Sequence, residues 1–194
     1  MSSFKKLGVL VAVFAFCAIG AANASAASKF TASETGTLSG HATTNQVFTA
    51  GFGSVSCTKA ASSGTISSTE ATEQEAEVNY SECKALGVAT THVTPAKYLF
   101  TANGTVHVLN TITITVTKTV FTAHCTITIT PQTPAGVVHF VPMAPRLTII
   151  ATISGIKYHS SGGPCGSAGE HADGTYEGTN EVERVGGGSI GWDE

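Results

Sequence analysis

The stretch Thr111-Ile112-Thr113-Ile114-Thr115-Val116-Thr117 decides the fold class. Ile112, Ile114 and Val116 fall on one face and four threonines on the other, the two-residue period of a strand that buries one side in a core. His124-Cys125-Thr126-Ile127-Thr128-Ile129-Thr130 repeats the pattern, with Cys125, Ile127 and Ile129 inward and His124, Thr126, Thr128 and Thr130 outward. The short connection 118–123 between the two suits an antiparallel hairpin with the Thr faces side by side.

Similar alternation marks further strands on both sides of this pair, at 29–33, 46–49, 53–58, 64–68, 76–80, 88–93, 97–102, 105–109, 137–141, 146–154, 174–179 and 189–192. Gly, Ser, Asn and Pro separate them, and Asn103-Gly104 marks a tight turn. Short strands with turn signals between them are the pattern of an all-β domain, here a two-sheet antiparallel sandwich or a barrel-like variant of it. Residues 68–77 have a helix-friendly composition without an apolar stripe at helical spacing, so an acidic loop or strand edge is expected there.

The chain begins differently. Lys5 and Lys6 precede an apolar run at 7–19 that is shorter than the roughly 20 residues needed to cross a bilayer as a helix. Ala22-Asn23-Ala24, Ala24-Ser25-Ala26 and Ser25-Ala26-Ala27 then offer the small side chains that signal peptidase requires, which is the anatomy of a secretory signal peptide. We place the cut after Ala26 or Ala27, giving a signal peptide at 1–27 and a single β domain at 28–194. A lipid-modified Cys17 is not expected, because bulky Phe16 precedes it where lipoprotein signals carry a small residue.

Removing the first 27 of 194 residues leaves 167, enough for one domain with its own core. No second apolar run is long enough for a membrane span. Without Lys5 and Lys6, 8 basic residues face 13 acidic ones, a net charge of about −5. No Lys/Arg cluster follows that could track a phosphate backbone, so nucleic acid is excluded as the expected partner.

Export makes the four remaining cysteines, Cys57, Cys83, Cys125 and Cys165, candidates for two disulfides. Four cysteines allow three connectivities. Cys83 and Cys165 each follow a tyrosine, Tyr80 or Tyr158, and each precedes a glycine by four residues, Gly87 or Gly169. This parallel suggests two related units and favours Cys57 with Cys83 and Cys125 with Cys165. No pair has the spacing of a zinc knuckle or a thioredoxin-type dithiol.

Seven histidines, at 41, 92, 107, 124, 139, 159 and 171, form no ligand motif by spacing, so no metal or other cofactor is assigned. No catalytic residue is assigned either. Gly187-Gly188-Ser189-Ile190-Gly191 matches a nucleophile elbow on paper, but the elbow needs a helix after it and a downstream acid and histidine, and here only Trp192, Asp193 and Glu194 follow. Cys165-Gly166-Ser167 resembles a fragment of cysteine-protease sequence, and a disulfide at Cys165 would remove the nucleophile. Asp173 and Glu177 could form a glycosidase pair only if the fold brought them together.

Two surface features remain as binding candidates. The first is the Gly-rich stretch 160–174, expected to be a long loop stapled by Cys165 and presenting Ser160, Glu170, His171 and Asp173. The second is the Thr face, whose ordinary explanation is that Thr is a good strand former and that Thr pairs stabilise an exposed sheet.

Tyr80-Ser81-Glu82-Cys83, Gly155-Ile156-Lys157-Tyr158 and Gly174-Thr175-Tyr176-Glu177-Gly178, taken with the signal peptide, resemble a group of secreted, β-rich actinobacterial proteins to which no function is assigned. The resemblance implies export and a β fold, and carries over no catalytic or binding residue. The expectation is a secreted, non-catalytic binding or structural module at the cell envelope or outside the cell, with an envelope or extracellular polymer as partner. The alternative is a secreted hydrolase acting on glycans or peptides.

Overall fold

The computed structural model describes residues 27–86, 89–117, 124–162, 165 and 167–194. Residues 1–26 of the expected signal peptide, with Lys5, Lys6 and Cys17, and the expected hairpin connection 118–123 lie outside the described residues. Nearly every described segment is strand, and no α-helix forms among the described residues.

Four long strands build the frame: β4 (Gly53–Ile66), β6 (Glu73–Ala85), β13 (Arg146–Ser161) and β14 (Gly169–Arg184). They pair antiparallel as two hairpin-like units, β4 with β6 and β13 with β14. Shorter strands close the gaps between these units at two levels. At the upper level, β3 (Gln46–Ala50) joins β4 to β14 on one side. On the other side β7 (Ala89–Val93), β10 (Ile112–Thr117) and β11 (His124–Ile129) lead from β6 to β13. The hydrogen bonding therefore returns to its start, and the sandwich expected from sequence takes its barrel-like form, an arrangement that leaves no open edge in the ring.

The lower level is built the same way from β2 (Gly36–Ala42), β8 (Ala96–Thr101), β9 (Val106–Val108) and β12 (Ala135–Met143). Its last joint is thin. Among the described residues, β9 and the turn before it meet β12 and the chain leading into it through three backbone hydrogen bonds, Val108 N–H to Gln132 O (2.8 Å), Gln132 N–H to Val108 O (3.2 Å) and Val138 N–H to Gly104 O (2.9 Å), and one side-chain contact, His107 Nδ1 to Thr133 Oγ1 (2.6 Å). Gly104 closes the Asn103-Gly104 turn with φ +88°, and a Cβ there would meet Val138 O at 2.8 Å, so this contact requires glycine. Below it, β1 (Lys29–Ala32), β5 (Glu70–Ala71) and β15 (Ile190–Asp193) form a small sheet across the lower end. Phe30 and Trp192 of this sheet pack on Phe140, and the Trp192 indole N–H donates to Ala102 O at 2.7 Å.

The β10–β11 pair is as expected. Ile112, Ile114, Val116, Cys125, Ile127 and Ile129 are buried, and Thr113 pairs with Thr128 and Thr115 with Thr126. Both disulfides also form, Cys57–Cys83 and Cys125–Cys165. Their settings differ, however. Cys57 and Cys83 are directly opposite in the β4–β6 ladder, whereas Cys165 lies in the connection between β13 and β14 and ties it to β11. The repeated tyrosine-cysteine context does not extend to a repeated three-dimensional unit.

The element lengths depart from the sequence reading. Segment 53–58 and the first part of 64–68 belong to one strand that ends at Ile66, because small residues between Ala60 and Gly64 weaken the apolar signal without interrupting the ladder to β2 and β6. Residues 68–77 supply β5 and the start of β6, where Glu73–Ala76 pair with β8 alone, as a strand edge does, and Glu77 pairs with both β8 and β4. Gly155, at φ +64°, forms a bulge that shifts the β13–β14 register between Ile153 and Ile156, so β13 continues to Ser161 rather than ending near 154.

Candidate functional site

The stretch 160–174 is mostly strand, not loop. Ser160 is the penultimate residue of β13, Glu170, His171 and Asp173 belong to β14, and only the short connection around Cys165 lies outside the sheet. The correction has a physical source: glycine content suggested irregular chain, but the β13–β14 ladder supplies the backbone hydrogen bonds that a loop would have left to solvent. Strand alternation then separates the four candidates. Tyr158 and Ser160 point inward, His159 and Glu170 outward, and Asp173 is exposed.

Ser160, His171 and Asp173 nevertheless lie close enough to test for a triad. Ser160 Oγ, on a fully buried residue, donates to Ser167 O at 2.7 Å. His171 Nε2 is 3.0 Å from both Ser160 Oγ and Ser167 O. With the serine proton committed to Ser167 O, both neighbours of Nε2 are acceptors, which assigns the imidazole proton to that nitrogen. A general base needs the opposite tautomer. Asp173 does not orient the imidazole either, because it accepts from Tyr158 Oη at 2.9 Å, while Tyr158 Oη accepts from Gly51 N–H at 3.0 Å. Tyr158 stacks on His171 with ring centroids 4.9 Å apart, and burial pushes its hydroxyl pKa up. These groups are consumed in holding the upper end of β13, β14 and the chain after β3 together.

The other sequence motifs are dispersed. Ser189 of the Gly-rich 187–191 turn leads into strand β15 and exchanges hydrogen bonds with Ser33. Asp173 and Glu177 share a strand four residues apart, a span of about 13 Å against the roughly 5 to 9.5 Å of glycosidase carboxylates. Among the described residues no group of three or more His, Cys, Asp and Glu is arranged to hold a metal ion.

Of the four candidates at 160–174, only Glu170 joins the Thr face. Glu170 pairs with His159, His159 with Thr128, and Thr128 with Thr113, whose backbone N–H donates to Thr94 Oγ1 at 2.9 Å. A second row runs Ser161, Thr126, Thr115, His92 across the same strands. The result is a polar outer face of hydroxyls and imidazoles over β14, β13, β11, β10 and β7, with the His159–Glu170 contact (3.0 Å) at its margin.

A third feature was missed from sequence: a polar cluster inside the barrel. Tyr80 of β6, Tyr98 of β8, Tyr176 and Asn180 of β14 and Gln46 of β3 converge there. Tyr176 Oη donates to Gln46 Oε1, and Tyr80 Oη donates to Tyr176 Oη at 3.4 Å, so Tyr98 Oη is the donor to Tyr80 at 2.9 Å. Gln46 Oε1 also accepts from Asn180 Nδ2 at 3.2 Å, and Gln46 Nε2 donates to Thr44 O and Thr179 O. Burial raises the tyrosine pKa values, that of Tyr98 to about 12 and those of Tyr80 and Tyr176 well above the ordinary range. The rings are half-buried and line the interior space of the barrel. The alternation that puts Tyr80 in phase with Val78, and Tyr98 with Phe100, was the available signal.

No protein-family model, curated protein or solved structure matches this chain.

Proposed function

We propose that the chain is an exported, non-catalytic binding module that contacts a polymer of the cell envelope or extracellular space through the outer face of β7, β10, β11, β13 and β14. The observation that carries this reading is the continuity of that face, on which cross-strand register aligns Glu170, His159, Thr128, Thr113 and Thr94. Hydroxyls and imidazoles held on paired strands offer donors and acceptors whose positions are fixed before binding, which lowers the entropy lost on contact with a hydroxylated chain. Two disulfides favour an oxidising compartment, and among the described residues no helix is long and apolar enough to cross a membrane.

The internal commitments of Ser160, His171 and Asp173 support a binding role over the hydrolase alternative. The test is to present the oxidised mature protein to purified envelope material and to a panel of glycosidase, esterase and peptidase substrates. Saturable sedimentation with the polymer and no turnover is the expected outcome. Turnover abolished by Ser160→Ala or His171→Gln in a folded variant would overturn it.

A further inference from the structure

The barrel interior holds space that the outer-face reading does not use. Two adjoining chambers, of about 100 Å³ and about 80 Å³, share Val78, Phe100, Ile149 and Asn180 as common lining. The larger is walled by Phe48, Val55, Ile114 and Ile153 among other apolar residues, and includes the tyrosine cluster. The smaller lies toward the cap formed by β1 and β15. Among the described residues no charged side chain lines either chamber.

Asn180 stands at the junction, and its Oδ1 is buried without a hydrogen-bond partner among the described residues. A desolvated acceptor of this kind is costly to leave unpaired, and a donor supplied by an occupant would recover that cost. The neighbouring hydroxyls are already committed as Tyr98 to Tyr80 to Tyr176 to Gln46, so the cluster asks for a donor rather than another acceptor. Val106, Val108 and Val138, which flank the thin β9–β12 joint, line the larger chamber directly. Three backbone hydrogen bonds and the exposed His107–Thr133 side-chain contact hold that seam closed.

We infer that the barrel interior is a binding site for a small, uncharged, largely apolar molecule carrying one hydrogen-bond donor, entering through the β9–β12 seam and placing its donor at Asn180. An apolar protein cavity of about 150 Å³ holds benzene, so the occupant is a ring compound or short aliphatic of roughly six to ten heavy atoms. The absence of charged lining excludes carboxylates and amines, whose desolvation would have no compensating partner. This site is separate from the outer face, and filling it leaves polymer binding unchanged.

The probe is indole, with indene as a near-isosteric control that lacks the N–H. Titration of the oxidised mature protein, followed by NMR, should give saturable indole binding with intermolecular contacts to the Val78 and Ile149 methyls. A single added hydrogen bond predicts about threefold to tenfold preference for indole over indene. Asn180→Leu should erase that preference, and Ile149→Phe, which fills the junction, should lower indole affinity at least tenfold. If Ile149→Phe fails to fold, the indole and indene comparison on the unmodified protein decides. The inference is overturned by no saturable indole binding, by equal affinity for the two probes, or by binding untouched in a folded Ile149→Phe variant.

Discussion

Replacing Cys125 and Cys165 together with alanine should destabilise the domain by about 4 kcal/mol and loosen one specific place. The bridge closes a sequence separation of 40 residues, for which the loop-entropy relation gives about 3.9 kcal/mol at room temperature. The Cys57–Cys83 bridge, at separation 26, gives about 3.5 kcal/mol by the same relation. The two losses are nearly equal in the unfolded chain but differ in the native one. Cys57 and Cys83 join strands already held by a long ladder from Val55–Ala85 to Ser63–Glu77. Cys165 instead anchors the β13–β14 connection, where Ser167 O accepts from Ser160 Oγ and His171 Nε2. Guanidinium unfolding followed by circular dichroism and by the single tryptophan, Trp192, should show both losses. About 4 kcal/mol corresponds to a fall in melting temperature of about 8 to 16 °C for a domain of this size. Native-state hydrogen exchange should show reduced protection at Ser161 and around 167–171 only in the Cys125/Cys165 variant. A cost below about 1 kcal/mol, or protection lost equally along β4 and β6, would refute the reasoning.

Alkali should unfold the protein and ionise its buried tyrosines in one coupled transition. The protonated form is retained in the folded chain, because burial raises the pKa of Tyr80, Tyr98, Tyr158 and Tyr176. The unfolded chain releases these protons near the ordinary value of 10.0, so stability is fully present below that pH and falls as pH rises, for Tyr98 between 10.0 and about 12. Tyrosinate absorbance and far-ultraviolet dichroism should change together, and ionisation near pH 10 with the fold intact would contradict the buried cluster. Gln46→Leu should cost about 3 kcal/mol or more in urea unfolding, since it strands Tyr176, Asn180 and the carbonyls of Thr44 and Thr179 in the interior. A loss under about 1 kcal/mol would show that the cluster contributes little. Mass spectrometry of the exported protein should find an N-terminus within 25–29 and no lipid, whereas a diacylated Cys17 would contradict the signal-peptide assignment.

What the sequence revealed and what it hid have physical causes. The β10–β11 pair was legible because Ile, Val and Thr alternate without interruption, and local alternation is what a single strand imposes. Closure of the ring was not legible, because β14 pairs with β2 and β3, more than a hundred residues away, and no local pattern encodes that. The long strand β4 read as two fragments because Ala61, Ser62 and Ser63 carry too little apolar surface to continue the alternation, although each is paired with β2 on one side and β6 on the other. Ser160 was legible as a candidate residue type but not as a buried one, because Gly162 and the glycines after it suggested a loop. The tyrosine cluster assembles residues from β3, β6, β8 and β14, each ordinary within its own segment. Only convergence in space gives it meaning.

The most direct measurement is the binding isotherm of oxidised mature protein on purified envelope polymer, compared with the variant Thr113→Lys, Thr126→Glu. Both positions face outward on the polar surface, they are not directly opposite each other, and the two changes leave net charge unaltered. Surface substitutions of this kind ordinarily change stability by about 0.5 kcal/mol or less, so the fold should persist while the array of hydroxyls is interrupted. Saturable binding by the unmodified protein is expected, with at least a tenfold loss in the variant and no chemical change in the polymer. Equal binding by the two proteins, or polymer cleavage by the unmodified one, would contradict a binding role for this face.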